Sequence, residues 1–129
     1  AAGMAAAIAA LNIYREPGFY DHIRVIGSRL IAGINWLFET HGVPGRVEGL
    51  GARFGVYFGD VGGLGNYRDV VHHDRSLMLR FIRAAIGHGV YFHGYGGGPC
   101  HHGFCAAMQQ ADVDDTLQRL DGAIASLVA

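Results

Sequence analysis

The chain contains no lysine; all ten of its basic residues are arginines. Only a primary amine condenses with a carbonyl to an imine, so lysine Schiff-base chemistry is excluded within this chain. Arginine is no substitute, because its guanidinium stays protonated. Charge is scarce as well. Charged residues make up 16% of the sequence, scattered in both signs, for a formal net charge of −1. That leaves no basic stripe for nucleic acid and no polybasic patch for a membrane surface. Two cysteines, Cys100 and Cys105, do not make the disulfide framework of a small secreted domain. No apolar run approaches the ~20 residues needed to cross a bilayer. The Ala-rich start, Ala1 to Leu11, lacks the basic leader and cleavage pattern of a signal peptide. Together these absences point to a soluble, cytoplasmic protein.

What is present is a globular composition, half hydrophobic, in 129 residues that suit one domain. Ala1 to Tyr14 reads as a helix with almost no polar face. A helix apolar on nearly every side expects burial. Its packing partner is therefore expected upstream, which makes residues 1–16 a connecting helix and 17–129 a C-terminal small domain. Pro17 suits the first turn of a second helix. Its stripe, Phe19, Ile23, Ile26, Leu30, Ile34 and Leu37, recurs at spacings of three and four. Arg24, Arg29 and Asn35 fall on the wetter side, and Gly42 and Pro44 stop the helix after His41.

Short β-prone runs follow at Val47–Leu50 and Phe54–Phe58, with a glycine-rich loop at Gly59–Gly65 and an irregular link from Asn66 to His73. Asp74 caps a helix carrying Met78, Phe81, Ile82 and Ala85. Val90–Phe92 and His102–Ala106 read as further strands on either side of the glycine-rich stretch Gly94–Pro99. Asp112 caps a last helix whose buried stripe is Val113, Leu117, Leu120, Ile124 and Leu127. The expected fold is α+β: a small, mainly antiparallel sheet with helices packed on one face.

Few motifs carry chemistry. Gly49, Gly51 and Gly55 have the spacing of some dinucleotide-binding turns, but Gly55 leads into strand rather than helix, so they are read as a tight strand connection. His93, Cys100, His101, His102 and Cys105 invite a metal reading, because thiolate and imidazole suit zinc. Adjacent His101 and His102 point to opposite faces when extended, however, and no second ligand cluster exists. No metal is expected; Cys105 reads as a small core residue. Ser28 and Ser76 sit in helical stretches, outside any nucleophile elbow. Arg53, Arg68 and Arg75 read as solvated or ion-paired.

Six sequence words in one order carry a resemblance. They are Ala1–Ala6, Phe19–Leu37, His41-Gly-Val-Pro44 with Gly51-Ala-Arg-Phe-Gly-Val-Tyr-Phe58, Asn66-Tyr-Arg-Asp69, Gly89-Val-Tyr91 and Ala111–Leu117. Through them the chain resembles the C-terminal portion of class III aminotransferases, most closely the glutamate-1-semialdehyde aminomutase-like branch. The resemblance implies a homodimeric fold-type I enzyme acting on a small amino acid or amino-aldehyde. It also implies pyridoxal 5′-phosphate (PLP) held by the lysine of a large domain upstream, with this domain closing over the substrate. The chain alone would then be inert, with neither catalytic nor cofactor-binding residues of its own.

Two departures touch the substrate. After Gly-Val-Tyr this chain has His93-Gly-Tyr-Gly-Gly-Gly-Pro-Cys100, where the aminomutases carry "Ala-Pro-Ser-x-Phe-Glu". No arginine lies between Arg83 and Arg119 to grip a carboxylate in two-pronged fashion, as many class III ω-amino acid transaminases do. The loop from His93 to His102 is still expected to face the substrate cleft. Its glycines let backbone approach a ligand, and Tyr95, Cys100 and His101 are its polar or reactive groups. The alternatives are a stand-alone binding module of the same fold and a small Cys/His metal-binding protein.

Overall fold

A computed structural model describes residues 1–128. Helix α1 spans Ala2–Tyr14 and α2 Phe19–Thr40, followed by strands β1 (Gly45–Leu50) and β2 (Arg53–Phe58). A 3-10 turn at Tyr67–Val70 precedes α3 (Arg75–Gly87), β3 (His101–Gly103) and α4 (Gln110–Ala125). The sheet is antiparallel throughout, in the order β1-β2-β3. Its inner face carries Val47, Phe54, Val56, Phe58 and His102, all buried; α2 and α3 pack on the sheet, and α4 packs on those two helices. Its other face, with Arg46, Arg53 and His101, is open. This is the α+β architecture read from the sequence, with helices on one face only.

Helix α2 ends as its sequence requires. Gly42 takes φ +64°, Val43 N–H donates to the Phe38 carbonyl (2.9 Å) and Gly42 N–H to the Glu39 carbonyl (3.2 Å). That is a Schellman closure, with buried Val43 and Phe38 as its apolar pair. The hairpin turn is Gly51-Ala52, with Gly51 at φ +57° in the first central position. A Cβ on Gly27 would lie 2.1 Å from the Gly51 carbonyl oxygen, so that glycine lets the helix lie directly on the turn. The glycines of this region serve strand connection and packing, as expected. Asp74 Oδ1 accepts from Leu77 N–H (2.9 Å) and caps α3, whose buried residues are Met78, Phe81, Ile82 and Ala85.

Several expectations are corrected. Val90–Phe92 is not a strand: Val90 N–H returns to the Ala85 carbonyl (2.8 Å), and Phe92 is held by its side chain in the core instead of by a ladder. The strand expected at 102–106 is the shorter His101–Gly103, because β2 offers it partners only at Arg53, Phe54 and Gly55. Pro17 lies in the turn before α2, where Gly18 (φ +85°) is the N-cap. Asp112 is not the cap of α4. It sits one turn in, and its Oδ2 accepts from Gln109 N–H at 2.7 Å. Cys105 is exposed rather than a core residue.

Asn35 is the most consequential correction. It is half-buried, its Nδ2 donates to the Val47 carbonyl (3.0 Å) and its Oδ1 accepts from Val47 N–H (2.8 Å). One amide thereby satisfies both free backbone groups of a buried residue on the β1 edge. Asn35→Ala is expected to cost about 2 kcal/mol, because both Val47 groups lose their partner inside the protein. Urea titration should show a lower midpoint at unchanged slope.

None of the residues of α1 is buried, and Met4, Ile8, Leu11 and Ile13 are each at least half exposed or nearly so. Among the described residues no helix is long and apolar enough to cross a membrane.

Candidate functional site

The stretch between α3 and β3 folds as a pinned loop. Gly98 N–H donates to the Tyr95 carbonyl (3.0 Å), and both central residues have positive φ, Gly96 at +57° and Gly97 at +77°. That is the type I′ turn, for which two glycines are the natural choice. The turn is anchored to α3 rather than left free. A Cβ on Gly97 would lie 2.4 Å from the Arg75 carbonyl oxygen, and one on Gly94 would lie 2.7 Å from Ile82 Cδ1. At these two positions the missing side chain allows close packing within the protein.

A buried histidine locks the anchor. His73 Nδ1 accepts from Phe58 N–H (2.8 Å), so its proton is on Nε2, which faces the Gly97 carbonyl at 3.2 Å. Burial lowers the His73 pKa, which keeps this neutral tautomer in place. His102, on the inner face of β3, is pushed down to about 4, first by burial and then by the nearby His93 and His101.

The three sequence candidates do not converge. Cys100 and His101 line one cleft of about 350 Å³ together with Tyr57, Leu64, Tyr67 and Pro99. Tyr95 stands outside it, exposed, with its ring edge-on to His93 at 4.7 Å between centroids. Cys100 is buried; its Sγ donates to the His93 carbonyl at 3.3 Å and lies 3.5 Å from His102 Nε2. Burial raises the thiol pKa while it depresses that of His102, so both are neutral at pH 7. A thiolate–imidazolium nucleophile needs the opposite shifts. His101 and His102 do face opposite sides of the sheet. Among the described residues no three His, Cys, Asp or Glu side chains are gathered to hold a metal ion.

Two lining residues, Tyr57 and Tyr67, were missed by sequence reasoning. Tyr57 occupies an open-face position of β2, and its hydroxyl lies where a Cβ on Gly55 would be (2.4 Å). Tyr67 is carried on the 3-10 turn, 80% exposed and so available to the cleft. Asp69 Oδ2 accepts from the N–H groups of Gly65 (2.8 Å) and Asn66 (2.9 Å), while Asn66 Oδ1 accepts from Arg68 N–H (2.9 Å). The Asn-Tyr-x-Asp word is thus a capping box around the tyrosine that it presents. Among the described residues no Asp, Glu or Arg side chain lines the cleft.

The fold recurs as a part of larger solved proteins. No protein-family model matches the chain. The FumI protein of Sphingopyxis sp. MTA144, solved in its PLP internal aldimine form, superposes on 97% of this chain at 26% identity and a TM-score of 0.77. An ω-transaminase from Sphaerobacter thermophilus covers 88% at 22% identity and a TM-score of 0.75. A glutamate-1-semialdehyde aminomutase from Pseudomonas aeruginosa PAO1 covers 84% at 18% identity and a TM-score of 0.66. The resemblance to class III aminotransferases carried by the sequence words is therefore a resemblance of fold over nearly the whole chain. This chain spans about a quarter of the length of each of these proteins, 27%, 25% and 23% respectively, consistent with a C-terminal domain.

Proposed function

We propose that the chain is the C-terminal small domain of a PLP-dependent class III aminotransferase or aminomutase, catalysing amino transfer or a 1,2-shift on a small amino acid or amino-aldehyde. The observation that carries this is the match of 97% of the chain to 27% of a PLP protein at a TM-score of 0.77. The residues present do not themselves make a PLP site, because the sequence has no lysine to bond the cofactor. The cofactor would be held by a large domain, and no chemical step passes through it here.

The role of this chain is to shape the substrate cleft. Cys100, His101, Tyr57 and Tyr67 form its wall, and the loop pinned by His73 fixes its position. Residues 1–16 would be the connecting helix and 17–129 the small domain. The exposed apolar surface of α1 supports a large partner surface, in an enzyme that is cytoplasmic and dimeric.

The test compares the 129-residue chain with a protein that includes the coding sequence upstream. The longer protein should show a reducible imine absorbance and amino transfer, and the chain alone neither. Stoichiometric imine on the chain alone would overturn the reading. In the longer protein, Cys100→Ala and His101→Ala probe the cleft, and Tyr95→Ala the exposed part of the same loop beside it. If all three leave kcat/KM within about twofold, about 0.4 kcal/mol, the loop is not part of it.

A further inference from the structure

Pro99 and Cys100, which line the cleft, end a stretch of chain that little fastens. Within it, Gly98 N–H returns to the Tyr95 carbonyl and Cys100 Sγ donates to the His93 carbonyl. Among the described residues, one hydrogen bond ties residues 94–99 to another part of the chain. It is the bond that the Gly97 carbonyl accepts from His73 Nε2 at 3.2 Å. Close packing of Gly94 on Ile82 and of Gly97 on the Arg75 carbonyl completes the seat.

The other nitrogen of the ring is committed as well. Phe58 lies beyond the residues of β2 that β3 pairs with. Its N–H is taken by His73 Nδ1 (2.8 Å), and its carbonyl accepts from Asp74 N–H (2.9 Å). The ring thus holds β2 through a bare nitrogen and the loop through a protonated one. An imidazolium carries a proton on both nitrogens. Its Nδ1–H would meet the Phe58 N–H donor against donor, so a protonated ring must leave this position, and the Gly97 carbonyl then loses its tether. The charges around the ring oppose each other: Asp74 favours the imidazolium and Arg75 disfavours it. From β2 the titratable neighbour is Tyr57, at 6.3 Å between ring centroids, while the 3-10 turn and the loop present the Val70 and Gly97 carbonyls. Burial outweighs these groups and holds the ring neutral.

We propose that His73 is a proton-released latch: neutral, it positions residues 94–99, and on protonation it frees them, and with them the Pro99–Cys100 wall of the cleft, while the core stays folded. The latch does not depend on the transaminase reading. Its sign follows from the geometry. The seated ring refuses a proton that a released, solvated ring accepts near its ordinary 6.5. The loop is therefore held above that pH, and the ratio of open to closed rises as pH falls below it, by up to about tenfold per unit.

Cys100 reports the opening, because its thiol is buried at the end of the loop. The probe is dithiodipyridine, applied to the intact protein, with the product read by mass on the peptide that carries Cys100. The labelling rate, taken relative to the same protein unfolded in urea at each pH, should rise about fivefold or more from pH 7 to 5.5. His102, which takes its proton near 4, stays neutral over that range. Throughout, the Val56 amide in the core should remain at least about tenfold better protected against hydrogen exchange than Cys100 is against label. His73→Asn keeps an acceptor for the Phe58 N–H, falls short of Gly97 and does not titrate, so it should label at least at the parent's acid rate at every pH. Gly97→Ala should do the same with His73 in place, because its Cβ would meet the Arg75 carbonyl oxygen at 2.4 Å. A parent rate independent of pH overturns the proposal. So does a rise that persists in His73→Asn, which would assign it to another group, and so does equal protection of Cys100 and Val56, which would mark unfolding of the whole domain.

Discussion

Phe81→Ala is expected to lose about 3–5 kcal/mol of folding stability, the cost of a large cavity at a fully enclosed aromatic site. Phe81 has no exposed surface, and its ring centroid lies 5.0 Å from Phe92, 5.3 Å from Phe58 and 5.8 Å from Phe38. The four rings join α3, β2, α2 and the 90–92 segment, so a cavity here faces every layer of the domain at once. Domains of this size hold about 5–15 kcal/mol in total, and the variant should be largely unfolded at moderate urea concentrations where the parent is intact. Phe81→Leu keeps most of the volume and should cost under about 1.5 kcal/mol. Tyr91→Ala, at a side chain 79% exposed, should stay within about 0.5 kcal/mol. Urea titrations of the three variants check the order. Equal losses for Phe81→Ala and Tyr91→Ala would contradict this core.

The second large effect is on pH. His102 is buried and accepts a proton only near pH 4, whereas in the unfolded chain it does so near its ordinary 6.5. Above about pH 6.5 neither state is protonated there, and the folded protein has its full stability. As pH falls from about 6.5 toward 4 the unfolded state takes up a proton that the folded state refuses, and stability declines by about 3 kcal/mol. His73, lowered first by burial, acts in the same direction. Unfolding free energies measured in urea from pH 7 to 4.5 should follow this slope, and His102→Leu should flatten it. An unchanged slope in the variant would assign the loss to other groups.

The same two residues show where sequence reading works and where it stops. The Phe81 stripe was legible because a helix repeats every 3.6 residues: once Asp74 caps it, Met78, Phe81, Ile82 and Ala85 must share a face. The hairpin was legible for a similar local reason, since β-prone runs flank a short turn that begins with a glycine. Even the opposition of His101 and His102 follows from a period of two.

Other features depend on partners far away along the chain. Val90–Phe92 has the residues of a strand, and only the absence of a neighbouring strand to bond to decides that it is not one. Asn35 reads as a surface polar residue until Val47, twelve positions on, presents two backbone groups to it. Cys105 was expected inside because cysteine packs well, but β3 ends at Gly103 and its short ladder leaves the residue outside. The cleft follows the same rule. His101 and Cys100 were found as reactive groups in one loop, whereas Tyr57 and Tyr67 come from β2 and a capped turn that only folding brings beside them. Periodicity and capping, which act over one or two turns of chain, determined the elements and their buried faces. Pairing, burial and the shared walls of the cavities act between segments far apart in sequence, and the tertiary structure alone decided them.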